Sequence, residues 1–207
     1  TEYTYPQDGI HWQTDIMNQM VQKNMISTPV IVKTSNNGTP VSEQMTEYQI
    51  VNTTQILPQY VYAKKGTAPL EKKITYDRYD SSGNLQQYRL ADGTPVSIIW
   101  GYNGQYPIAR VEGVAYADIE TEAAALAANN NLTESSFFTL RGLVTDPSKY
   151  AMLTCYIYEP LVGVKMIIQP NGQKEIYEYD SAGRLMKIFD HEGKELKKID
   201  YHYKPQP

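Results

Sequence analysis

The sequence has few of the residues on which catalysis, metal binding and cross-linking depend. Its one cysteine, Cys155, excludes an intrachain disulfide and a zinc site built on paired cysteines. The three histidines, His11, His191 and His202, form no visible pattern with a serine or cysteine nucleophile. A phosphate-binding glycine loop with lysine and a His-Glu-x-x-His motif are also missing. The sequence therefore predicts no catalytic residue, no metal and no cofactor.

A basic surplus and a long apolar run are lacking as well. The 207 residues include 19 basic and 23 acidic side chains, a net charge of -4, so we expect no nucleic-acid partner. No apolar run approaches the roughly 18 to 20 residues that span a bilayer, and we expect no membrane insertion by this segment. The start, Thr1-Glu2-Tyr3, is neither a methionine nor a signal peptide. We interpret the chain as a fragment of a larger protein, with removal of a signal peptide as the alternative.

Tyrosine is abundant, with 18 residues against 3 phenylalanines and 2 tryptophans. A ring with one polar end suits half-buried β-strands, and it also suits contacts with sugars or proteins. We interpret the surplus as a sign of strands. Cys155 lies in the alternating run 153–158 and is predicted to be a small strand residue rather than a nucleophile.

Turn signals divide the chain more clearly than any other feature. Within each cluster they recur about every ten residues, which leaves five to eight residues for each strand of a meander of antiparallel hairpins. Aspartate can accept bonds from backbone amides two residues on, and glycine supplies positive φ. The signals are Asn37-Gly38, Asp80 to Gly83, Asp92-Gly93, Asn103-Gly104, Asn171-Gly172, Asp180 to Gly183 and Glu192-Gly193.

One of these turns belongs to an internal repeat. The segment 79–85 returns one hundred positions later as 179–185, and Asp92-Gly93 is matched by Glu192-Gly193 at the same spacing. Each of the two repeated stretches is about thirty residues long. The residues that define the motif are Tyr79, Asp80, Gly83, Leu85, Tyr179, Asp180, Gly183, Arg184 and Leu185.

This motif resembles the repeat of YD-repeat proteins of the RHS family. Tyr-Asp-x-x-Gly-Arg-Leu is complete at 179–185, and Asn84 replaces the arginine at 79–85. The resemblance covers roughly 70–105 and 150–203, including the lead-in 172–179 and the stretch 156–163. It implies a curved β-sheet, which in long relatives wraps into a hollow shell around a toxin.

The resemblance also implies a bacterial surface or secreted protein, hence an extracytoplasmic location. Its partners would be the remainder of a larger repeat protein, with cell-surface glycans or another protein as further candidates. Some relatives cleave themselves at Asp-Pro-x-Gly, but Asp146-Pro147 continues here as Ser148-Lys149. Autoproteolysis is therefore not carried over.

Helical patterns flank and interrupt the strand clusters. Apolar residues at helical spacing predict a helix over 14–24 that is capped by Thr14 and packs its methionines into a core. A second helical stretch is predicted to begin at the cap Asp118 and to run over 119–128. A third starts at Thr133, with Phe137, Leu140 and Val144 on one face, and ends at Asp146-Pro147. We expect this insert to cover the sheet.

The predicted fold is mainly β, an antiparallel meander of YD-type hairpins with a short N-terminal helix and a small helical insert. We predict a single domain over 1–207. Its parts are an N-terminal extension with helix (1–30), a first β-repeat cluster (31–115), the helical insert (116–150) and a second β-repeat cluster (151–207).

Three function classes remain open. The first is a non-enzymatic structural or interaction segment of a larger repeat protein. The second is a carbohydrate-binding module, for which Trp100, Tyr102 and Tyr106 would have to be exposed and coplanar; the alternative is that Trp100 and Tyr102 fill the core while Tyr106 covers the turn. The third is a hydrolase, which would need a cleft with two close carboxylates of shifted pKa.

Overall fold

The structure is a computed structural model that describes residues 1–9, 12–144 and 151–202. It divides into two compact units, Thr1–Pro95 and Val96–Pro207. Within each unit every strand pairs antiparallel with the next strand in the chain. The predicted mainly β meander is thereby confirmed.

The first unit contains six strands, which are β1 (Glu2–Thr4), β2 (Ile31–Asn36), β3 (Thr39–Val51), β4 (Gln55–Lys65), β5 (Glu71–Tyr79) and β6 (Leu85–Leu90). A 3₁₀ turn, Pro6–Asp8, and helix α1, Thr14–Gln22, lie between β1 and β2. The hairpin β2–β3 closes on Asn37 and Gly38, both with positive φ, as a type I′ turn requires. The Asn-Gly signal located this turn correctly.

Helix α1 packs a small core against the long hairpin β3–β4. Met17 and Met20 are buried together with Val30, Tyr48 and Ile56, so the predicted core role of the methionines is confirmed. The pairing of β3 with β4 shifts register between Glu47 and Tyr48. Next to this register shift, the Gln13 side chain satisfies both backbone polar groups of Tyr48, as a paired strand would. Its Nε2 donates to Tyr48 O at 2.9 Å, and its Oε1 accepts from Tyr48 N at 2.8 Å.

The second unit contains seven strands, of which the first starts at the unit boundary. They are β7 (Pro95–Gly101), β8 (Tyr106–Glu112), β9 (Met152–Glu159), β10 (Gly163–Ile168), β11 (Lys174–Tyr179), β12 (Leu185–Phe189) and β13 (Glu195–Lys198). Between β8 and β9 lie 3₁₀ turns at Tyr116–Ile119 and Glu134–Phe137, followed by helices α2 (Glu120–Ala127) and α3 (Phe138–Val144), respectively.

These helices and one face of the strands form the core of the second unit. Phe137, Leu140 and Val144 are buried there, as the helical pattern predicted. Cys155 is fully buried in β9 in the same core, which confirms its strand assignment. The insert therefore covers part of the sheet.

Both predicted N-terminal caps are wrong. Thr14 is the first residue of α1, because the preceding Gln13 is held by its bonds to Tyr48. Asp118 lies inside a 3₁₀ turn, and α2 begins only at Glu120. Thr133 does precede the next helical turn, whereas the predicted end at Asp146-Pro147 lies outside the described residues. Within the described part of the chain, no helix has the length and apolar character needed to cross a bilayer.

Candidate interaction surface at the hairpin tips of the second unit

One five-residue loop recurs at the ends of the strands. Among the described residues, the amide of its first residue donates to the carbonyl of its fifth, and the amide of the fourth, a glycine with positive φ, donates back to the first. The glycine is required because the backbone there is left-handed. The five loops are 80–84, 90–94, 169–173, 180–184 and 190–194.

Aspartate at the first position fixes the loop from inside. In the second repeat, Asp180 Oδ1 accepts from the amides of Ala182 (2.9 Å) and Arg184 (3.0 Å). Arg184 Nε also donates to Asp180 Oδ2 at 2.8 Å. The Arg184 guanidinium, together with these backbone bonds, lowers the pKa of the Asp180 carboxyl. The repeat aspartate is therefore a turn former, as predicted.

The same loop tolerates other first residues when the third one supplies the acceptor. Leu90 and Gln169 occupy the first position of two loops, where Asp92 Oδ1 accepts from Thr94 N at 2.9 Å and Asn171 Oδ1 from Gln173 N at 3.0 Å. The signals Asp92-Gly93 and Asn171-Gly172 therefore mark the same loop as the Asp-x-x-Gly signals do.

The repeat tyrosines join neighbouring strands through a contact that we call the tyrosine bridge. Tyr79 ends β5 and its hydroxyl donates to Pro58 O in β4 at 2.7 Å. Tyr179 ends β11 and donates to Val164 O in β10 at 2.8 Å. Burial raises the pKa of both phenols, so the hydroxyls remain donors. Tyr201 repeats the contact by donating to Leu185 O in β12 at 2.9 Å.

Three hairpin ends of the second unit lie side by side, and we call them the tip cluster: 101–106, 159–163 and 179–184. Tyr106 stacks on Tyr158 with ring centroids 4.7 Å apart, and its hydroxyl accepts from Leu161 N at 3.4 Å. On the next hairpin, the ring of the repeat tyrosine, Tyr179, fills the space beside Gly163. A Cβ on Gly163 would lie 2.5 Å from Tyr179 Oη.

The three aromatic residues predicted to bind sugar do not form one platform. Tyr102 is only 6% exposed, and its hydroxyl is bonded to both the backbone nitrogen and the carbonyl oxygen of Tyr158. Its ring stands at 86° to that of Tyr106. Trp100 and Tyr106 are half-buried. Tyr102 therefore packs in the core, which was the alternative to sugar stacking.

The tip cluster presents one highly exposed apolar side chain, Leu161, whose residue surface is 96% accessible. It also has a positive φ of 68°, which a leucine adopts only under strain. Burial, by contrast, raises the pKa of the neighbouring Tyr158 to about 12. The surface thus combines a rigid aromatic base with an apolar tip and can serve as a contact surface for a macromolecule.

Leu161, Tyr158, Tyr201 and the loop at Asp190 were missed by the sequence reasoning. Asp190-His191-Glu192-Gly193 carries the full Asp-x-x-Gly signal, but it was counted only as Glu192-Gly193. Leu161 had a weaker signal, a proline followed by a residue other than Gly or Asn at a turn.

Comparisons with known proteins give structural similarities of low score. No protein-family model matches the sequence, and no curated protein matches it. Among solved structures, the TcdB2–TccC3–Cdc42 crystal structure is 11% identical over 88% of this chain, with a TM-score of 0.43. A Photorhabdus luminescens Tc holotoxin pore with a mutated TccC3 is 12% identical over 90% of this chain, with a TM-score of 0.44.

A third structure, TcdB2–TccC3–TEV, is 12% identical over 90% of the chain with a TM-score of 0.46. This chain spans 10% of the length of each of these three structures. TM-scores below 0.5 at such identities establish neither a common fold nor a common function. The chain is weakly similar to segments of Tc toxin complexes.

Proposed function

We propose that this chain is a non-enzymatic structural and interaction segment of a larger bacterial YD-repeat protein that is secreted or held at the cell surface. The observation that carries the proposal is the recurrence of one building unit, a tyrosine bridge followed by an aspartate loop. It occurs at 79–84 and again at 179–184 with the same bonds.

The building unit favours a structural role because its polar groups are used within the sheet. Asp180 bonds two amides and Arg184, and the hydroxyl of Tyr179 bonds a neighbouring strand. A catalytic carboxylate would need a free oxygen that faces a substrate. The groups that the sequence repeats are thus those that hold hairpins together.

The tip cluster supports the interaction part of the proposal. It presents the exposed side chain of Leu161. In its third loop, Arg184 lies 4.7 Å over the exposed ring of Tyr201, which follows β13. Exposed aromatic and apolar side chains on a rigid base are typical of protein contact sites. The contact is expected to be with another protein or with the remainder of the same protein.

Fractionation of the producing cells tests the proposal. An antibody against this segment, with the purified segment as competitor to define specific bands, would report the size and location of the intact protein. We expect a band far above 23.5 kDa in the envelope or the medium. A specific band near 23.5 kDa in the cytoplasm would contradict both the larger protein and its location.

A further inference from the structure

Leu161 has a conformation and an exposure that its own fold does not require. The amide of Val162 donates to Glu159 O at 3.0 Å, Pro160 follows Glu159, and Leu161 has φ 68°. This is the pattern of a type II turn, whose third position ordinarily holds glycine or asparagine. A leucine there is strained, and 96% of its surface faces solvent. Such strain is expected where a side chain serves a contact outside the chain.

Contacts with the neighbouring hairpins hold the backbone of the tip in one orientation. Tyr106 Oη accepts from Leu161 N at 3.4 Å and its ring is stacked on Tyr158. On the other side, Val162 Cγ1 lies 3.9 Å from where a Cβ would stand on Gly183. Because the backbone of the turn is already held, docking requires little further ordering of the main chain.

The first unit has a cavity with matching chemistry. Its volume is about 670 Å³, within the roughly 300 to 1,000 Å³ of ligand pockets and large enough for the two apolar side chains of a turn. Its apolar lining residues are Val32, Ala63, Ala68 and Pro69.

The charges at this cavity leave one ammonium available. Lys64 pairs with Glu43 at 3.0 Å, and Lys73 pairs with Glu71 at 2.5 Å. Lys65 is exposed and, among the residues that the structure describes, has no ion pair. It is therefore free to meet a carboxylate carried by an incoming tip.

We propose that the Leu161 tip of one copy of this chain docks into this cavity on a second copy. Pro160 and Leu161 cover the apolar lining, and the exposed Glu159 carboxylate meets Lys65. The two surfaces differ, so the contact is heterologous; it adds copies in series unless two copies exchange tips reciprocally as a dimer. Self-association goes beyond the proposed function, which concerns a single chain.

Sedimentation velocity of the whole chain over a series of concentrations tests this contact. Wild type is expected to associate as its concentration rises. Leu161→Asn should weaken association about tenfold or more, because the docked leucine surface is lost. Asparagine tolerates positive φ, so the melting temperature should not fall. The matched control is Leu196→Asn on β13, another exposed leucine at 55% accessibility, which should leave association unchanged.

A charge exchange identifies the cavity. Glu159→Lys and Lys65→Glu should each weaken association, and the double variant should restore it. Wild type that stays monomeric at every concentration would overturn the proposal. So would equal association of the two asparagine variants, or a double variant as weak as the single ones.

Discussion

The tightest constraint on a single residue is at Gly163, opposite the second repeat tyrosine. The ring of Tyr179 crosses the glycine to reach Val164 O, and a Cβ on Gly163 would stand 2.5 Å from Oη and 2.8 Å from Cζ. Real Cβ contacts are longer, so a side chain here would push the ring off its acceptor. The tyrosine bridge thus depends on a residue outside the repeat motif.

Gly163→Ala is expected to destabilise the chain by about 1–3 kcal/mol, as overpacking in a closed site does. Urea denaturation measures the change. The matched control is Gly142→Ala, since a Cβ on that glycine of α3 meets nothing within 4 Å. Alanine there should stabilise by about 0.5–1 kcal/mol.

A double variant tests the cause. In Gly163→Ala/Tyr179→Ala the ring is gone, so adding the alanine should cost little beyond Tyr179→Ala alone. An equally large additional cost would mean that Gly163 is needed for a reason other than the tyrosine.

At the level of elements, the repeated loop is a self-contained hydrogen-bonded unit. The bonds of Asp190 Oδ1 to the amides of Glu192 (3.0 Å) and Lys194 (2.9 Å) are those of Asp180 in the preceding loop. Each carboxylate must be ionised to accept them fully. Protonation of these aspartates at acid pH is therefore expected to weaken the loops.

Asp180→Ala should lower the urea midpoint more than Asp180→Asn does, because the amide oxygen of asparagine can still accept from Ala182 N and Arg184 N. The pKa of Asp180 is lowered in the fold, chiefly by Arg184. Its stabilising effect is thus present above pH 3.8 and is lost as the pH falls through the lower, folded-state pKa. Urea midpoints measured from neutral to acid pH should fall less for Asp180→Asn than for wild type. Equal acid sensitivity would contradict this role.

The elements could be predicted where local chemistry decides them and not where tertiary contacts do. Asn37-Gly38 and Asp80 to Gly83 marked their turns because positive φ and a side-chain acceptor are local requirements. The start of α1 was misplaced because Gln13 is fixed by Tyr48, thirty-five residues away.

The candidate surface was harder to predict for the same reason. The sequence singled out Tyr102 and Tyr106, but burial of Tyr102 depends on β9, whose position follows the helical insert. Leu161 gave only the weak signal of the preceding proline, since a turn is recognised by residues that favour it. A strained residue is found only once its backbone is known.

For the whole molecule, the large number of tyrosines makes the fold sensitive to alkali. Burial raises the pKa of Tyr158 to about 12, and burial with the nearby Glu175 carboxylate does the same for Tyr177. The fold favours the neutral phenols, so their contribution is complete below the ordinary pKa of 10 and is lost as the pH rises from 10 towards 12.

The urea midpoint is therefore expected to fall steadily above about pH 10. The absorbance of tyrosinate should rise in the same pH range as the folded signal is lost. Tyr177→Phe removes one of the groups and should make the decline shallower. A midpoint that stays level between neutral pH and 12 would contradict the prediction.

The tyrosine bridges of the described residues each join a strand to the strand just before it: Tyr79 to β4, Tyr179 to β10 and Tyr201 to β12. A hairpin that is copied in tandem within the gene would bring its own bridge and its own loop. Such a chain can lengthen by duplication without the design of a new core, and it can lose a copy at little cost to the others. Length is then a property that evolution can adjust one hairpin at a time.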